Sequence, residues 1–134
     1  VSARELILEY AKETGVDLSF QNFDDEIASL DTFYEAILIA ENDAGCVALR
    51  RIDDQTGEMK RLYVRPVFRG RGVGEGLVAA VIDLARQRGY KRMLLDTLPS
   101  MTAAIAMYER FGFRDVAPYR FNPVPGTRFM ELAL

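Results

Sequence analysis

The chain has 134 residues, 49% hydrophobic and 28% charged, with 17 Lys+Arg against 20 Asp+Glu and a formal net charge of -3. Those totals fit one globular domain over residues 1–134 and speak against a nucleic-acid binder, which carries a basic excess. With no histidine and a single cysteine, Ser-His catalysis, histidine metal sites and an internal disulfide are all excluded, and no metal is expected.

Residues 2–14 place Leu6, Ile7, Tyr10 and Ala11 at helical spacing, and Gly15 ends that helix. Residues 16–22 read as a loop, and Asp24 caps a second short helix through Leu30. Residues 32–34 form a connector that shows the aromatics Phe33 and Tyr34 to solvent. A strand over 36–40, a turn on Asn42-Asp43 and a returning strand over 45–52 follow. A second turn over 53–57 leads into a third strand over 58–65, which completes an antiparallel meander. Cys46 lies in the strand-like run Gly-Cys-Val-Ala-Leu and reads as a small core residue rather than a nucleophile. No apolar stretch reaches membrane-spanning length and no signal peptide is visible, so a reduced, cytoplasmic setting is expected, with neither membrane nor nucleic acid as partner.

The stretch Arg69-Gly70-Arg71-Gly72-Val73-Gly74 separates the third strand from a helix over 75–88. Leu77, Val78, Val81, Ile82, Leu84 and Ala85 give that helix a broad buried face, and Gly89 stops it. A glycine-dense turn that opens a helix is an anion site: the first N–H groups lack partners within the helix, and glycines let the backbone approach a bulky phosphate. Arg65, Arg69 and Arg71 surround the same turn, and the basic cluster from Lys60 to Arg71 is local, as a small anionic ligand such as a diphosphate needs. Neither glycine register fits the dinucleotide fingerprint, and no lysine follows as the nucleoside triphosphatase loop requires. Further on, 92–97 is a buried strand, Pro99 and Ser100 begin a helix through Phe111, and strands over 113–118 and 127–134 are joined by a proline-rich loop.

The pattern Arg/Gln-x-x-Gly-x-Gly/Ala is met by Arg69, Gly72 and Gly74. With Met-Lys-Arg-Leu-Tyr-Val-Arg-Pro before it and Ala-Met-Tyr-Glu-Arg-Phe-Gly-Phe after it, the chain resembles the GCN5-related N-acetyltransferases (GNAT) from Leu38 to Leu134. The resemblance implies an α/β fold with a mixed, mostly antiparallel sheet flanked by helices. That sheet would splay between the 58–65 and 92–97 strands to admit acetyl-CoA. Such folds start with a strand before the first helix, whereas this chain enters a helix at once; either the strand is missing from this chain or this member lacks it, and a shortened chain is the expectation.

By resemblance, the backbone of Leu62, Tyr63 and Val64 pairs with the pantetheine arm. Arg69 and the N–H groups of Gly70, Arg71, Gly72, Val73, Gly74 and Glu75 hold the pyrophosphate; the plainer alternative is a tight turn with solvated arginines. Tyr108 resembles the tyrosine that protonates the departing thiolate, against the alternative of an amphipathic core tyrosine; its ordinary pKa of about 10 keeps it protonated at neutral pH. Ser100 stands where many relatives have an asparagine that touches pantetheine or substrate, and it also suits a helix N-cap. Glu58 matches a glutamate that acts as a base through water, or is a solvated strand-end carboxylate; Asp96 is a second candidate base, or a structural anion. The acceptor side is expected from residues 16–24, Phe33, Tyr34 and the run Tyr119, Arg120, Phe121 and Asn122. Arg120 there is either a bidentate partner for a substrate carboxylate or a solvent-facing loop arginine.

The resemblance implies direct attack of a primary amine on acetyl-CoA in a ternary complex, with a small molecule, peptide or protein as acceptor and a homodimer as a common assembly. A non-catalytic acyl-CoA-binding regulatory module is the alternative. The residues leave the acceptor open among amino acids, polyamines, antibiotics, peptides and protein amines.

Overall fold

Ser2 starts the first helix by accepting the Glu5 N–H on its hydroxyl at 3.2 Å, and Gly15, at φ +66°, stops it. The computed structural model describes residues 2–15 and 23–134; the loop expected over 16–22, with the acceptor role given to it, lies outside the described residues. The elements are α1 (Ala3–Thr14), α2 (Phe23–Ala28), α3 (Leu30–Phe33), β1 (Ala36–Ile39), β2 (Gly45–Asp53), β3 (Thr56–Val64), α4 (Val73–Gln87), β4 (Arg92–Thr97), α5 (Thr102–Phe111), β5 (Arg114–Asp115) and β6 (Arg128–Ala133). Among the described residues no strand precedes α1, and no helix is long and apolar enough to cross a membrane.

The sheet has the order β1-β2-β3-β4-β6-β5. Every neighbouring pair is antiparallel except β3 and β4, which α4 connects as a crossover. One face packs on α4 and α5. There Val47, Leu49, Met59, Met93, Leu95, Met130 and Leu132 meet Val78, Val81, Ile82 and Ala85, and each large apolar side chain so buried contributes about 1.5–3 kcal/mol. The opposite face carries a smaller core of Leu6, Ile7, Tyr34, Cys46, Ala48 and Tyr63 beneath α1.

β3 contains an extra residue. Cys46 pairs with Tyr63 and Ala48 with Lys60, so Arg61 and Leu62 together oppose Val47. Arg61 takes φ +57°, a left-handed conformation unusual for a residue with a Cβ. The Cys46 thiol donates to the Arg61 carbonyl at 3.5 Å, and burial pushes that thiol up to about 12, as suits a core cysteine.

Four expectations change. Ser29 leaves helical geometry at φ -144°, so the second helix ends at Ala28 and a separate turn runs from Leu30 to Phe33. Tyr34 is not exposed: only 4% of it is accessible, and it packs with Leu6 and Ile7. α5 begins at Thr102 with Met101 in the cap position, so Ser100 is not the N-cap. The strand expected over 113–118 shrinks to Arg114–Asp115, because Pro118 has no N–H to add to a ladder and Tyr119 turns its ring onto Phe129.

Candidate active site

β3 and β4 run side by side only as far as the Glu58–Leu94 pair. Beyond it β3 stays bonded to β2 and β4 to β6, so their inner edges separate into a fork. Leu62, Tyr63 and Val64 on the β3 side, Met107 of α5, and Tyr10, Glu13 and Thr14 of α1 line a cavity of about 610 Å3. An unpaired strand edge beside a cleft can take an extended ligand as though it were one more strand.

The glycine loop closes one end of this cavity with Gly70, Gly72, Val73, Gly74 and Glu75. Gly70 and Gly72 stand at φ +77° and +80°, conformations that L side chains rarely adopt. Gly72 is the N-cap of α4 and has no side chain with which to cap it, so the first-turn N–H groups keep their donor capacity and the positive end of the macrodipole. A Cβ on Gly74 would meet Val64 and Met107 at 3.6 and 3.9 Å, ordinary contact distances. Nothing in the protein's own packing therefore requires glycine there, whereas close approach by a ligand would.

The basic cluster is more divided than the sequence suggested. Lys60 and Arg61 are buried on the far face of the sheet. Arg65 is held by Glu9 at 2.7 Å, and its pairing with Glu9 raises its pKa. Arg69 donates from Nε to the Val64 carbonyl at 2.9 Å and from Nη2 to Glu13 at 2.5 Å. Arg71 lies over the Phe68 ring at 5.8 Å, and the exposed Glu75 pairs with Arg110 at 2.9 Å.

Ser100 lines the cavity with its hydroxyl uncommitted to capping. Tyr108 does not line it. Its ring is buried against Phe113, with centroids 5.8 Å apart. Burial, with lesser contributions from Tyr10 and Asp96, raises its pKa above the ordinary tyrosine range. Tyr10, one of the two groups that act on Tyr108, lines the cavity.

On the other face of the fork stands a polar cluster whose members are distant in sequence. Glu58 is fully buried within β3, which overturns the reading of a solvated strand-end carboxylate. Its Oε2 accepts from Tyr119 at 2.6 Å and from Arg120 at 2.5 Å, and Arg50 approaches Oε1 at 4.0 Å. Arg120 is correspondingly not a solvent-facing loop residue; its side chain is 22% exposed. Asp96 accepts from Asn122 at 3.4 Å. Lys60 is 5% exposed, and burial pushes it down to about 8 despite the attraction of Glu58. Phe33 packs under the Arg50 guanidinium at 4.7 Å.

One buried pair had no signal in the sequence. Arg61 donates to Glu26 at 2.9 and 2.7 Å, and the two are 5% and 0% exposed. The rings of Tyr10 and Phe23 flank the guanidinium at 5.7 and 5.4 Å. This pair ties α2 to the β3 bulge. Among the described residues no group of three or more His, Cys, Asp or Glu is placed to hold a metal ion.

The model of the acetyltransferase (GNAT) family matches residues 2–113. The chain belongs to the GNAT family. It is 40% identical to an uncharacterized N-acetyltransferase of Schizosaccharomyces pombe, over 96% of this chain and 85% of that relative. A Dictyostelium discoideum protein named likewise is 31% identical, over 96% of this chain and 92% of that one. Among solved structures, an acetyltransferase from Streptococcus agalactiae superposes with a TM-score of 0.79 at 24% identity, covering 96% of this chain and 87% of that chain. A GNAT family acetyltransferase from Elizabethkingia anophelis, solved with acetyl-CoA bound, gives 0.68 at 24% identity and covers 82% of each chain. These two likenesses bear on the fold, whose forked, mostly antiparallel sheet is that of GNAT enzymes. As a GNAT member the chain is an acetyl-CoA-dependent acetyltransferase.

Proposed function

We propose that this enzyme moves the acetyl group of acetyl-CoA to a primary amine by direct attack within a ternary complex. The observation that carries the reading is the fork between β3 and β4 opening on a cavity that ends at the uncapped N-terminus of α4. In this reading the pantetheine arm lies along Leu62, Tyr63 and Val64. The diphosphate rests on the N–H groups from Gly70 to Glu75, with Arg69 and Arg71 beside it and Ser100 across the arm.

The amine nitrogen forms a bond to the thioester carbonyl carbon, and collapse of the tetrahedral intermediate breaks the C–S bond. Tyr108 gives its proton to the departing thiolate. Its burial behind the cavity lining keeps the phenol protonated until the departing thiolate draws the proton. The proton lost by the amine passes to the carboxylate side of the fork, where Glu58 is the first acceptor and Asp96 the second. A cysteine-acyl route is disfavoured, because burial raises the pKa of the Cys46 thiol and the thiol is committed to the Arg61 carbonyl.

Calorimetric titration with acetyl-CoA, desulfo-CoA and NADH tests the donor site: acetyl-CoA binds and NADH does not. Thiol release with an amine then tests Tyr108. Tyr108→Phe keeps the acetyl-CoA dissociation constant and loses turnover by about 100-fold, in the range of a removed general acid. Unchanged turnover in that variant removes Tyr108 from the chemistry.

A further inference from the structure

Glu58 and Arg120 do more than neutralise each other. The Glu58 side chain is fully buried, yet among the described residues its Oε1 has no hydrogen-bond partner, and the buried Nε of Arg120 has none either. One acceptor and one donor are therefore left over beside the fork, on two groups already joined through Oε2 and Nη2. A buried polar atom without a partner is costly, and native structures keep such atoms where something else satisfies them. The surrounding charges add a sign. Arg50, Lys60 and Arg120 face Glu58 and Asp96, and the neighbouring Arg61 is answered by Glu26. Cations thus surround the buried carboxylates, a setting that repels a polycation more than a molecule carrying an anion of its own.

We propose that the acceptor is a small amine that also carries a carboxylate, with its carboxylate taken by Arg120 and its ammonium by Glu58. This rests on the acetyl-transfer reading above. The internal Glu58–Arg120 pair is then a stand-in for the substrate. A zwitterion exchanges one ion pair for two, because its ammonium meets Glu58 and its carboxylate meets the guanidinium. A simple amine can replace only half of the pair and leaves Arg120 half-buried without a counter-anion. Glu58 lies on the last residue pair before β3 and β4 part, so an ammonium held there sits at the base of the fork. Arg120 is 22% exposed, so it reaches both the buried carboxylate and solvent. Tyr119, bonded to the same Glu58 oxygen and packed on Phe129 at 5.4 Å, fixes the loop that presents Arg120.

The test uses the full chain and follows thiol release from acetyl-CoA with the proteinogenic α-amino acids and β-alanine, each beside its methyl ester. The ester keeps the nucleophile and the side chain and removes only the anion. At least one acid is expected to exceed its ester in kcat/KM by about tenfold or more, the worth of a charge-assisted hydrogen bond. Arg120→Gln collapses that ratio towards unity, and Arg120→Lys recovers part of it. An acetyl-CoA titration of each variant, matching the parent, shows that the fold is kept. Esters used as well as their acids overturn the inference. So does acetyl-CoA binding with no acid in the panel accelerating thiol release. If the parent chain does not bind acetyl-CoA, the donor reading itself fails, and the titration reports this before any amine is added.

Discussion

Glu26→Ala isolates the energetic role of the pair that ties α2 to β3. Arg61 and Glu26 meet through two hydrogen bonds at 2.9 and 2.7 Å, with side chains 3% and 0% exposed. At that burial solvent gives almost no relief to the guanidinium left behind, and removal of one partner from such a pair costs about 3–5 kcal/mol. For a domain whose total stability is about 5–15 kcal/mol, this is a large share. Urea unfolding should show a lower midpoint at unchanged slope, and the thermal midpoint should fall by about 10–20 °C. The double variant Glu26→Met with Arg61→Met removes both charges and keeps the volume, so it should recover most of the loss. A single-variant loss below about 1 kcal/mol, or a double variant as unstable as the single, would refute the assignment of this cost to an unpaired charge.

Four further outcomes follow from the same geometry. Burial lowers Lys60 from 10.5 to about 8, so the unfolded chain binds more protons between those values and stability recovers as pH rises through that window. Lys60→Met should therefore stabilise at pH 7 by about 2–3 kcal/mol, and urea unfolding at pH 7, 9 and 10 should show the gain shrinking. Gly72→Glu places a side chain at φ +80° and an anion at the α4 N-terminus; it should abolish acetyl-CoA binding by calorimetry and cost about 1–2 kcal/mol. Gly76→Ala, inside the same helix with nothing within 4 Å of its added Cβ, should instead stabilise by about 0.5–1 kcal/mol with the dissociation constant unchanged. Glu13 shares Arg69 with the cavity at 2.5 Å, so Glu13→Gln should tighten acetyl-CoA binding at low salt by about threefold, an effect that fades as salt screens it.

The parts of the site that are local in sequence were legible from it. Gly70, Gly72 and Gly74 mark a tight turn into an uncapped helix, because backbone freedom and the exposed end of a helix are properties of neighbouring residues. The buried stripe of α4 and the meander from β1 to β3 follow from periodicities of the same short range. What could not be read was which distant side chains meet. Arg61 and Glu26 are 35 residues apart, and Tyr119 and Glu58 are 61 apart. No periodicity registers such a contact, so Glu58 stayed open between a base and a solvated strand-end carboxylate, and Arg120 between a carboxylate partner and a loop cation. The basic cluster also misled, because Lys60 and Arg61 leave the glycine loop for the other face of the sheet. Strand alternation already turns Lys60 away from that loop and a bulge sends Arg61 with it, and Arg61 carries none of the glycine or asparagine that would have marked one.

The extra residue in β3 acts as an inserted base acts on a reading frame, with a period of two instead of three. Before it, Glu58 and Lys60 carry the polar face and Met59 goes into the α4 core; after it, Leu62 and Val64 pack toward α4 and Tyr63 lies under α1. Kept in the original frame, Leu62 and Val64 would fall beneath α1 and Tyr63 would be driven into α4. The insertion lets a single strand show charged side chains at the base of the fork and apolar ones along its arm. Deleting Arg61 would thus remove more than one cation: it would transpose the two hydrophobic cores along the rest of the strand. A graft of this strand between relatives, aligned residue for residue without the insertion, would carry every side chain and place those beyond the bulge on the wrong side.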